Sequence, residues 1–127
     1  MYNIVAYKKI IMEENKEILQ KQNQIKKWII AYAVLLCIDS EESYALNILE
    51  NLKKSNIIIV EGTLYPLLSR FKKENLLNYE WRESTSWPPR KYYTLTEKWK
   101  ETLESLKITW GEIIKSINFL TKLSWKK

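Results

Sequence analysis

The side chains whose types and spacing could do chemistry fall in one stretch of the chain, residues 62–96. The first half of this stretch combines hydroxyl groups, which donate and accept hydrogen bonds, with basic groups, which bind phosphate. These residues, with the proline among them, are Thr63, Tyr65, Pro66, Ser69, Arg70 and Lys73. The second half carries Arg90, Lys91 and Tyr92 directly after two prolines. Groups of these kinds suit contacts to the base edges and phosphates of a nucleic acid.

Catalytic chemistry has little to be built from in this sequence. The chain has no histidine, one cysteine and two glycines, so the usual general base, a cysteine cluster for a metal and a glycine-rich phosphate loop are all missing. The acidic pairs Glu13/Glu14 and Glu41/Glu42 have no obvious partner for acid–base work. Cys37 lies in an apolar run and is expected to be a small buried hydrophobe. We therefore expect no enzyme activity, no catalytic residue, no metal and no cofactor.

Charge and hydropathy point to a polyanionic partner. The 127 residues carry a formal net charge of +6, with a pI of about 9.3. Residues 53–100 hold ten Lys/Arg and five Asp/Glu, whereas residues 1–52 hold six and seven, so the positive excess lies near the stretch described above. The longest apolar run, residues 28–38, is too short to cross a bilayer. We expect a soluble, cytoplasmic, nucleoid-associated protein with double-stranded DNA as a partner and no membrane.

Local patterns predict a helix followed by a hairpin as the elements that position these groups. Leu64, Leu67, Leu68 and Phe71 recur at helical spacing, with Thr63 as the predicted N-cap and Asn75 as a left-handed stop. Apolar and polar residues then alternate over residues 77–82, which predicts a half-buried strand. A turn is predicted at residues 84–89 and a second strand at residues 90–95.

Upstream of this stretch, the patterns predict a polar extension and two core helices. Residues 1–24 form the extension, with a helix from about Ile10 to Gln22. Residues 25–39 are predicted to form the first core helix, and Ser43 to cap a second helix that runs from Tyr44 to about Ser55. The short β-branched run at residues 57–60 is predicted to be an extended connection that could pair with the hairpin.

The last segment, residues 96–127, is predicted to be a long helix capped by Thr96. Its apolar residues step by four and three for three heptads, and they are Trp99, Leu103, Leu106, Trp110, Ile113, Ile117 and Leu120. A stripe of this kind is typical of a helix that pairs with another helix. We therefore expect a homodimer that uses this stripe. The predicted fold class is mainly α with a small β wing: a winged helix-turn-helix domain over residues 25–95, then a dimerisation helix.

The same stretch carries a family resemblance. The motif GTLYPLLSR, an acidic-Asn-Leu-Leu stop, an aromatic strand and the motif PPRKYYTLTE closely resemble the PadR family of bacterial transcriptional regulators. The resemblance is dense over residues 62–97, looser over residues 25–52 and absent from residues 1–24. It implies a winged helix-turn-helix repressor with residues 63–70 on the recognition helix, Arg90, Lys91 and Tyr92 on the wing, and Tyr44 near the DNA backbone.

The resemblance also implies a use for the last helix. In this family it is a dimerisation helix that packs with the first helix of the partner. In members that sense planar aromatic compounds, a tryptophan on this helix clamps the ligand. Trp110 lies at a comparable distance after the LTE motif and resembles that tryptophan in position. The resemblance thus suggests a small aromatic effector in the dimer cleft, with Trp110, Trp99 and Trp28 as its lining. Trp99 stands where the family usually has glycine, so it could fill a pocket that other members keep open.

Three functions compete at this point. The first is a dimeric, ligand-responsive repressor of a palindromic operator. The second is an architectural or partition-type DNA-binding protein of a plasmid or phage, without an effector, which would bind repeated sites cooperatively. The third is a protein-interaction module that has lost DNA binding and would show little salt-dependent affinity for any duplex.

Overall fold

The computed structural model describes residues 3–83, 85 and 88–126. The elements in chain order are α1 (Ile4–Ser40), α2 (Ala45–Lys54), α3 (Glu61–Lys73), β1 (Leu77–Arg82), β2 (Arg90–Leu95) and α4 (Glu97–Trp125). This mainly helical chain with one two-stranded antiparallel sheet confirms the predicted fold class, a winged helix domain followed by a long C-terminal helix. Within the described residues, no helix is long and apolar enough to cross a membrane.

Helix α1 is one continuous helix of 37 residues, capped by the side chain of Asn3. The predicted break near residues 23–24, between a helix at 10–22 and another at 25–39, is wrong. No glycine or proline interrupts this part of the sequence, so nothing ends the first helix before the second begins. Only the C-terminal third of α1 is buried, at Val34, Leu35 and Ile38. Residues 4–28 are exposed along their whole length.

The core lies where α1, α2, α3, the base of the hairpin and the start of α4 meet. Its buried apolar side chains are Val34, Leu35, Ile38, Ile48, Leu52, Leu64, Leu68, Phe71, Leu76, Leu77, Tyr93, Leu95 and Leu103. Each of the first three helices contributes residues spaced three or four apart, as expected for helices that bury one face. Burial of such a side chain stabilises the fold by about 1.5–3 kcal/mol.

The N-caps of α2 and α3 are not the residues predicted from the sequence. Tyr44, rather than Ser43, is the N-cap of α2, and the side chain of Asn47 accepts a hydrogen bond from its N–H at 3.4 Å. Helix α3 begins at Glu61 with Val60 as its cap, so Thr63 lies inside the first turn. Thr63 is therefore not a cap, and its side chain is left on the exposed surface of the helix.

Ser43 does not cap α2, because its backbone pairs with the wing. Its backbone N–H donates to the carbonyl of Tyr93 at 3.3 Å, and its carbonyl accepts from the N–H of Tyr93 at 2.8 Å. Its hydroxyl donates to the carbonyl of Glu41 at 2.9 Å. The residues that pair with β2 on this side thus come from the α1–α2 loop. Residues 57–60 lie outside any helix, as expected, and they do not pair with the described part of the hairpin, an option that the sequence had left open.

The hairpin follows the predicted bounds, with Leu77 opposite Leu95 and Arg82 opposite Arg90. Asn75 has a φ of 61°, which confirms it as the left-handed stop after α3. The half-buried strand is only partly correct, because Leu77 alone is buried in β1 and the rest of the strand extends away from the core. Of the predicted turn, Ser84, Ser86 and Trp87 lie outside the described residues.

Helix α4 begins as predicted, with the side chain of Thr96 accepting from the N–H of Trp99. Leu103 is buried in the core, whereas the apolar residues from Leu106 onward are partly or largely exposed. Near its middle, α4 meets α1 again: the rings of Trp110 and Tyr32 are 5.4 Å apart, and Lys107 forms an ion pair with Asp39 at 2.7 Å. Beyond these contacts the two long helices each expose an apolar stripe.

Candidate nucleic-acid interface

The outward face of α3 carries the residues of this helix that are predicted to contact DNA. Leu64, Leu68 and Phe71 point into the core, and the opposite face is left to solvent. The predicted residues on α3, all exposed, are Thr63, Tyr65, Pro66, Ser69, Arg70 and Lys73. Half of the surface of Tyr65 is exposed. A helix with short polar groups and bases on its free face fits the major groove, which is wide enough to admit one helix.

The wing flanks α3 on one side with positive charge held over aromatic rings. Lys91 Nζ lies 4.4 Å from the centroid of the Tyr79 ring and 5.1 Å from that of Trp81. Lys72 Nζ, on α3, lies 5.6 Å from the same Tyr79 ring. These cation–π contacts position two ammonium groups without neutralising them, so both remain available to phosphates. A half-buried strand, as predicted for residues 77–82, would shield one face from solvent, whereas Tyr79 and Trp81 are exposed and contact these cations.

The other face of the wing packs on the start of α2. The guanidinium carbon of Arg90 lies 4.2 Å from the centroid of the Tyr44 ring. The Tyr44 ring also meets the edge of Tyr92, with ring centroids 5.4 Å apart. Arg90 and Tyr92 were expected near DNA as part of the wing, and Tyr44 because of the family resemblance. The structure brings the three side chains into one cluster. No carboxylate pairs with Arg90 among the described residues.

Arg82 belongs to the same face but is neutralised. It pairs with Glu80 on its own strand and with Glu42 of the α1–α2 loop, at 2.5 Å for Glu42, and it lies 4.6 Å from the Tyr92 ring. The hydrogen bonds with Glu80 and then Glu42 raise the pKa of Arg82 above its usual value. Arg82 therefore ties the wing to the helical domain. Sequence reasoning missed this role, because Glu42 lies far from Arg82 along the chain.

The other side of α3 borders an open groove against α1. The groove has a volume of about 1050 Å³. Its lining comes from α1, the α2–α3 connection and α3: Asn23, Lys26, Lys27, Trp28, Ile30, Ala31, Ile58, Thr63, Pro66, Leu67, Arg70 and Glu74. Arg70 lies 4.0 Å from Glu74, an exposed pair of small energetic value. The groove lining also includes Lys26 and Lys27 of α1, so positive charge flanks α3 on this side as well as on the wing side.

The three tryptophans predicted to line an effector site lie in different surroundings within one chain. Trp28 lines the groove beside α3 and is 81% exposed. Trp110 contacts Tyr32 of α1, and Trp99 packs against the core. The groove, as the structure describes it, is lined by Trp28 but by neither of the other two. Trp99 lies in the first turn of α4; whether it fills an effector pocket stays a prediction.

The described residues contain no group of acidic residues and Cys37 arranged to hold a metal ion. Cys37 is partly buried, and this desolvation raises the pKa of its thiol, so little thiolate exists at neutral pH. The prediction that it is a packing residue fits this environment.

Comparisons with known proteins agree with this geometry. A family model described as the transcriptional regulator PadR-like family matches residues 34–105, which covers α2, α3, the wing and the neighbouring parts of α1 and α4. A search of curated proteins found no match.

Several solved structures are similar over most of the chain. A PadR-like transcription factor from Bacteroides fragilis is 44% identical, with a TM-score of 0.67, covering 80% of this chain and 98% of that one. A PadR-like transcriptional regulator from Bacillus cereus is 34% identical, with a TM-score of 0.69, covering 77% and 96%. A PadR family regulator from Eggerthella lenta is 25% identical, with a TM-score of 0.71, covering 87% and 96%.

Proposed function

Because this chain belongs to the PadR-like family of transcriptional regulators, whose members are DNA-binding regulators and not enzymes, we propose that it acts as a homodimeric repressor of a palindromic operator. The observations that support this proposal are the exposed polar and basic side chains of α3, the cations of the wing, and the contact between the wing and the start of α2. Helix α3 presents hydroxyl groups, the wing presents Arg90 and Lys91, and the start of α2 supplies Tyr44 beneath Arg90.

The proposed division of labour follows from where the groups lie. Thr63, Tyr65 and Ser69 are exposed along α3 and suit hydrogen bonds to base edges. Arg90 and Lys91 lie on the wing, away from the axis of α3, and suit phosphates or the minor groove. Affinity would come largely from these phosphate contacts and fall steeply with salt.

Dimerisation is supported by the unburied part of the α4 stripe. Ile113, Ile117 and Leu120 expose between 48% and 55% of their surface in the single chain, and they continue the line of Leu103 and Trp110. A sustained seam of this kind is best buried against a partner helix, and a two-fold dimer is the commonest arrangement. Such a dimer would present two α3 helices to half-sites about one helical turn apart, roughly 10–10.5 base pairs.

The effector part of the proposal rests on Trp110. A planar aromatic ligand would bind between the subunits, beside Trp110 and Tyr32, whose rings are already in contact. It would release the operator only by favouring a dimer geometry in which the spacing of the two α3 helices no longer matches the half-sites. Trp28 and Trp99 would reach this ligand only if the partner subunit brings one of them near.

The decisive experiment is to measure binding of the purified protein to the DNA upstream of its own gene and to an unrelated duplex, at two salt concentrations. Tight, selective and salt-sensitive binding to the upstream DNA supports a specific regulator. Equal affinity for both duplexes contradicts it and favours the architectural alternative. Absence of binding to either duplex contradicts DNA binding altogether.

A further inference from the structure

The exposed part of α1, residues 4–28, has a strongly uneven distribution of charge around its axis. Successive residues of an α-helix are rotated by about 100°, so an arc of about 120° can be assigned from the sequence. The arc centred on Asn23 contains five lysines and no carboxylate, namely Lys8, Lys9, Lys16, Lys26 and Lys27. We call this arc the lysine strip. The acidic residues Glu13, Glu14 and Glu17 all lie outside it.

The C-terminal end of the lysine strip lies beside α3. Asn23, Lys26 and Lys27 line the groove with Thr63 and Arg70 of that helix. Farther toward the N-terminus, Lys16 and Lys27 border one shallow depression along α1, so the strip continues along one face. No residue of the strip forms an ion pair within the described part of the chain.

An apolar stripe runs along α1 outside the lysine strip. Ile4, Ile11, Ile18 and Ile25 repeat every seven residues, and the same heptad position is next occupied by Tyr32, which contacts Trp110. The stripe thus ends at a residue that contacts α4, whereas the lysine strip ends at residues that line the groove beside α3. A helix with an apolar stripe toward α4 can bury that stripe while its lysine strip stays free for another partner.

We propose that the lysine strip binds the phosphate backbone of the DNA that flanks the site contacted by α3. The strip begins beside Thr63 and Arg70, so a duplex held by α3 would meet Lys26 and Lys27 first. From Lys27 to Lys9 the helix extends about 27 Å, which corresponds to about eight base pairs of duplex. The wing supplies cations on one side of α3, and α1 supplies them on the other. This proposal rests on the proposed function, because it needs α3 to face DNA.

The test compares two triple variants that carry the same change in charge. The strip variant is Lys9→Gln, Lys16→Gln and Lys27→Gln. The control variant is Lys21→Gln, Lys115→Gln and Lys122→Gln, whose lysines are also exposed but lie outside the strip, one on α1 and two on α4. Glutamine has a helix propensity close to that of lysine, and circular dichroism checks that the helices persist. Affinity for a long upstream duplex is measured between about 50 and 200 mM salt.

The expected result is a smaller salt slope, log Kd against log salt, in the strip variant. Each phosphate that a lysine no longer neutralises should lower the slope by about 0.9, so the strip variant should fall by about 2–3 and the control by close to zero. Equal slopes in the two variants and the wild type would overturn this inference and leave the proposed function standing. Failure of the wild type to bind any duplex would overturn both. A strip variant that loses binding to phosphatidylglycerol vesicles but keeps its DNA slope would also overturn it, in favour of a membrane surface.

Discussion

Arg90 lies over the ring of Tyr44, with its guanidinium carbon 4.2 Å from the ring centroid, and this contact joins the wing to the start of α2. An arginine held this way keeps its charge while its position is restrained. Arg90→Ala should therefore weaken binding to specific and non-specific duplexes alike and lower the salt slope by about 1. Fluorescence anisotropy on both duplexes measures this, and an effect confined to one duplex would contradict the phosphate role.

The ring of Tyr44 can be tested separately from its hydroxyl. Tyr44→Leu removes the ring beneath Arg90 and should weaken DNA binding by about 0.5–1 kcal/mol, the usual size of an exposed cation–π contact. Tyr44→Phe keeps the ring and should stay near the wild type. Binding is measured on the same duplexes. If both variants weaken binding equally, the hydroxyl, through a direct phosphate contact, matters more than the restraint of Arg90.

Tyr65 should contribute to selectivity. It is half exposed on the free side of α3, from which it would reach base edges if α3 binds in the major groove, as proposed. Tyr65→Ala should reduce the preference for the operator over an unrelated duplex by about 1–3 kcal/mol while changing non-specific affinity little. Phe119→Ala, an aromatic truncation on the exposed part of α4, is the matched control in the same binding measurement. Equal losses on both duplexes would show that Tyr65 acts on the fold or on phosphates instead.

The dimer prediction is tested on α4 by two aspartates at neighbouring sites. Ile117→Asp places a charge in the predicted seam. It should remove about 1.5–3 kcal/mol of the stabilisation that apolar burial gives the dimer, per subunit, in addition to the cost of burying the charge. Phe119→Asp introduces the same group on the opposite side of the helix. Sedimentation equilibrium should show monomer for the first variant and dimer for the second. A dimer in both cases would mean that the subunits meet elsewhere.

The stability of the protein should depend more on the size of the side chain at Ser43 than on its hydroxyl group. Its side chain is fully buried and donates to the carbonyl of Glu41. Ser43→Gly should cost about 1 kcal/mol for the missing hydrogen bond. Ser43→Val should cost more, about 1–3 kcal/mol, because it adds bulk where the loop meets Tyr93. Urea unfolding measures both free energies, and a Val variant as stable as the Gly variant would show that the site has spare room.

The wing base should limit stability at alkaline pH. Burial raises the pKa of Tyr93, with smaller contributions from Tyr65 and Tyr79, above its ordinary value near 10. The folded state thus keeps a proton that the unfolded state loses, so this contribution to stability should be constant below about pH 10 and fall as pH rises toward the folded pKa. Tyr93→Phe should reduce this fall in thermal unfolding measured across that range. An unchanged pH dependence would mean that another group causes it.

Much of this architecture was accessible from local sequence. The face of α3, the left-handed Asn75, the strand bounds and the Thr96 cap all follow from interactions between residues a few positions apart, and the structure confirms each of them. The family was accessible for the same reason, because its motifs are local. The start of α3 was misplaced because Val60 supplies no capping side chain, whereas Thr63 does match a capping pattern.

Other features were decided only when distant segments met. Serine is a common helix cap, but the backbone of Ser43 pairs with that of Tyr93 in β2 instead. A short-range sequence pattern cannot reveal this pairing. Arg82 resembles Arg90 in sequence, yet Glu42 neutralises one and the Tyr44 ring holds the other with its charge unpaired among the described residues. The residue types and helical faces were determined by sequence alone. Which cations remain free for DNA was decided by tertiary structure, since charge pairing depends on distances of a few ångströms between segments far apart in the chain.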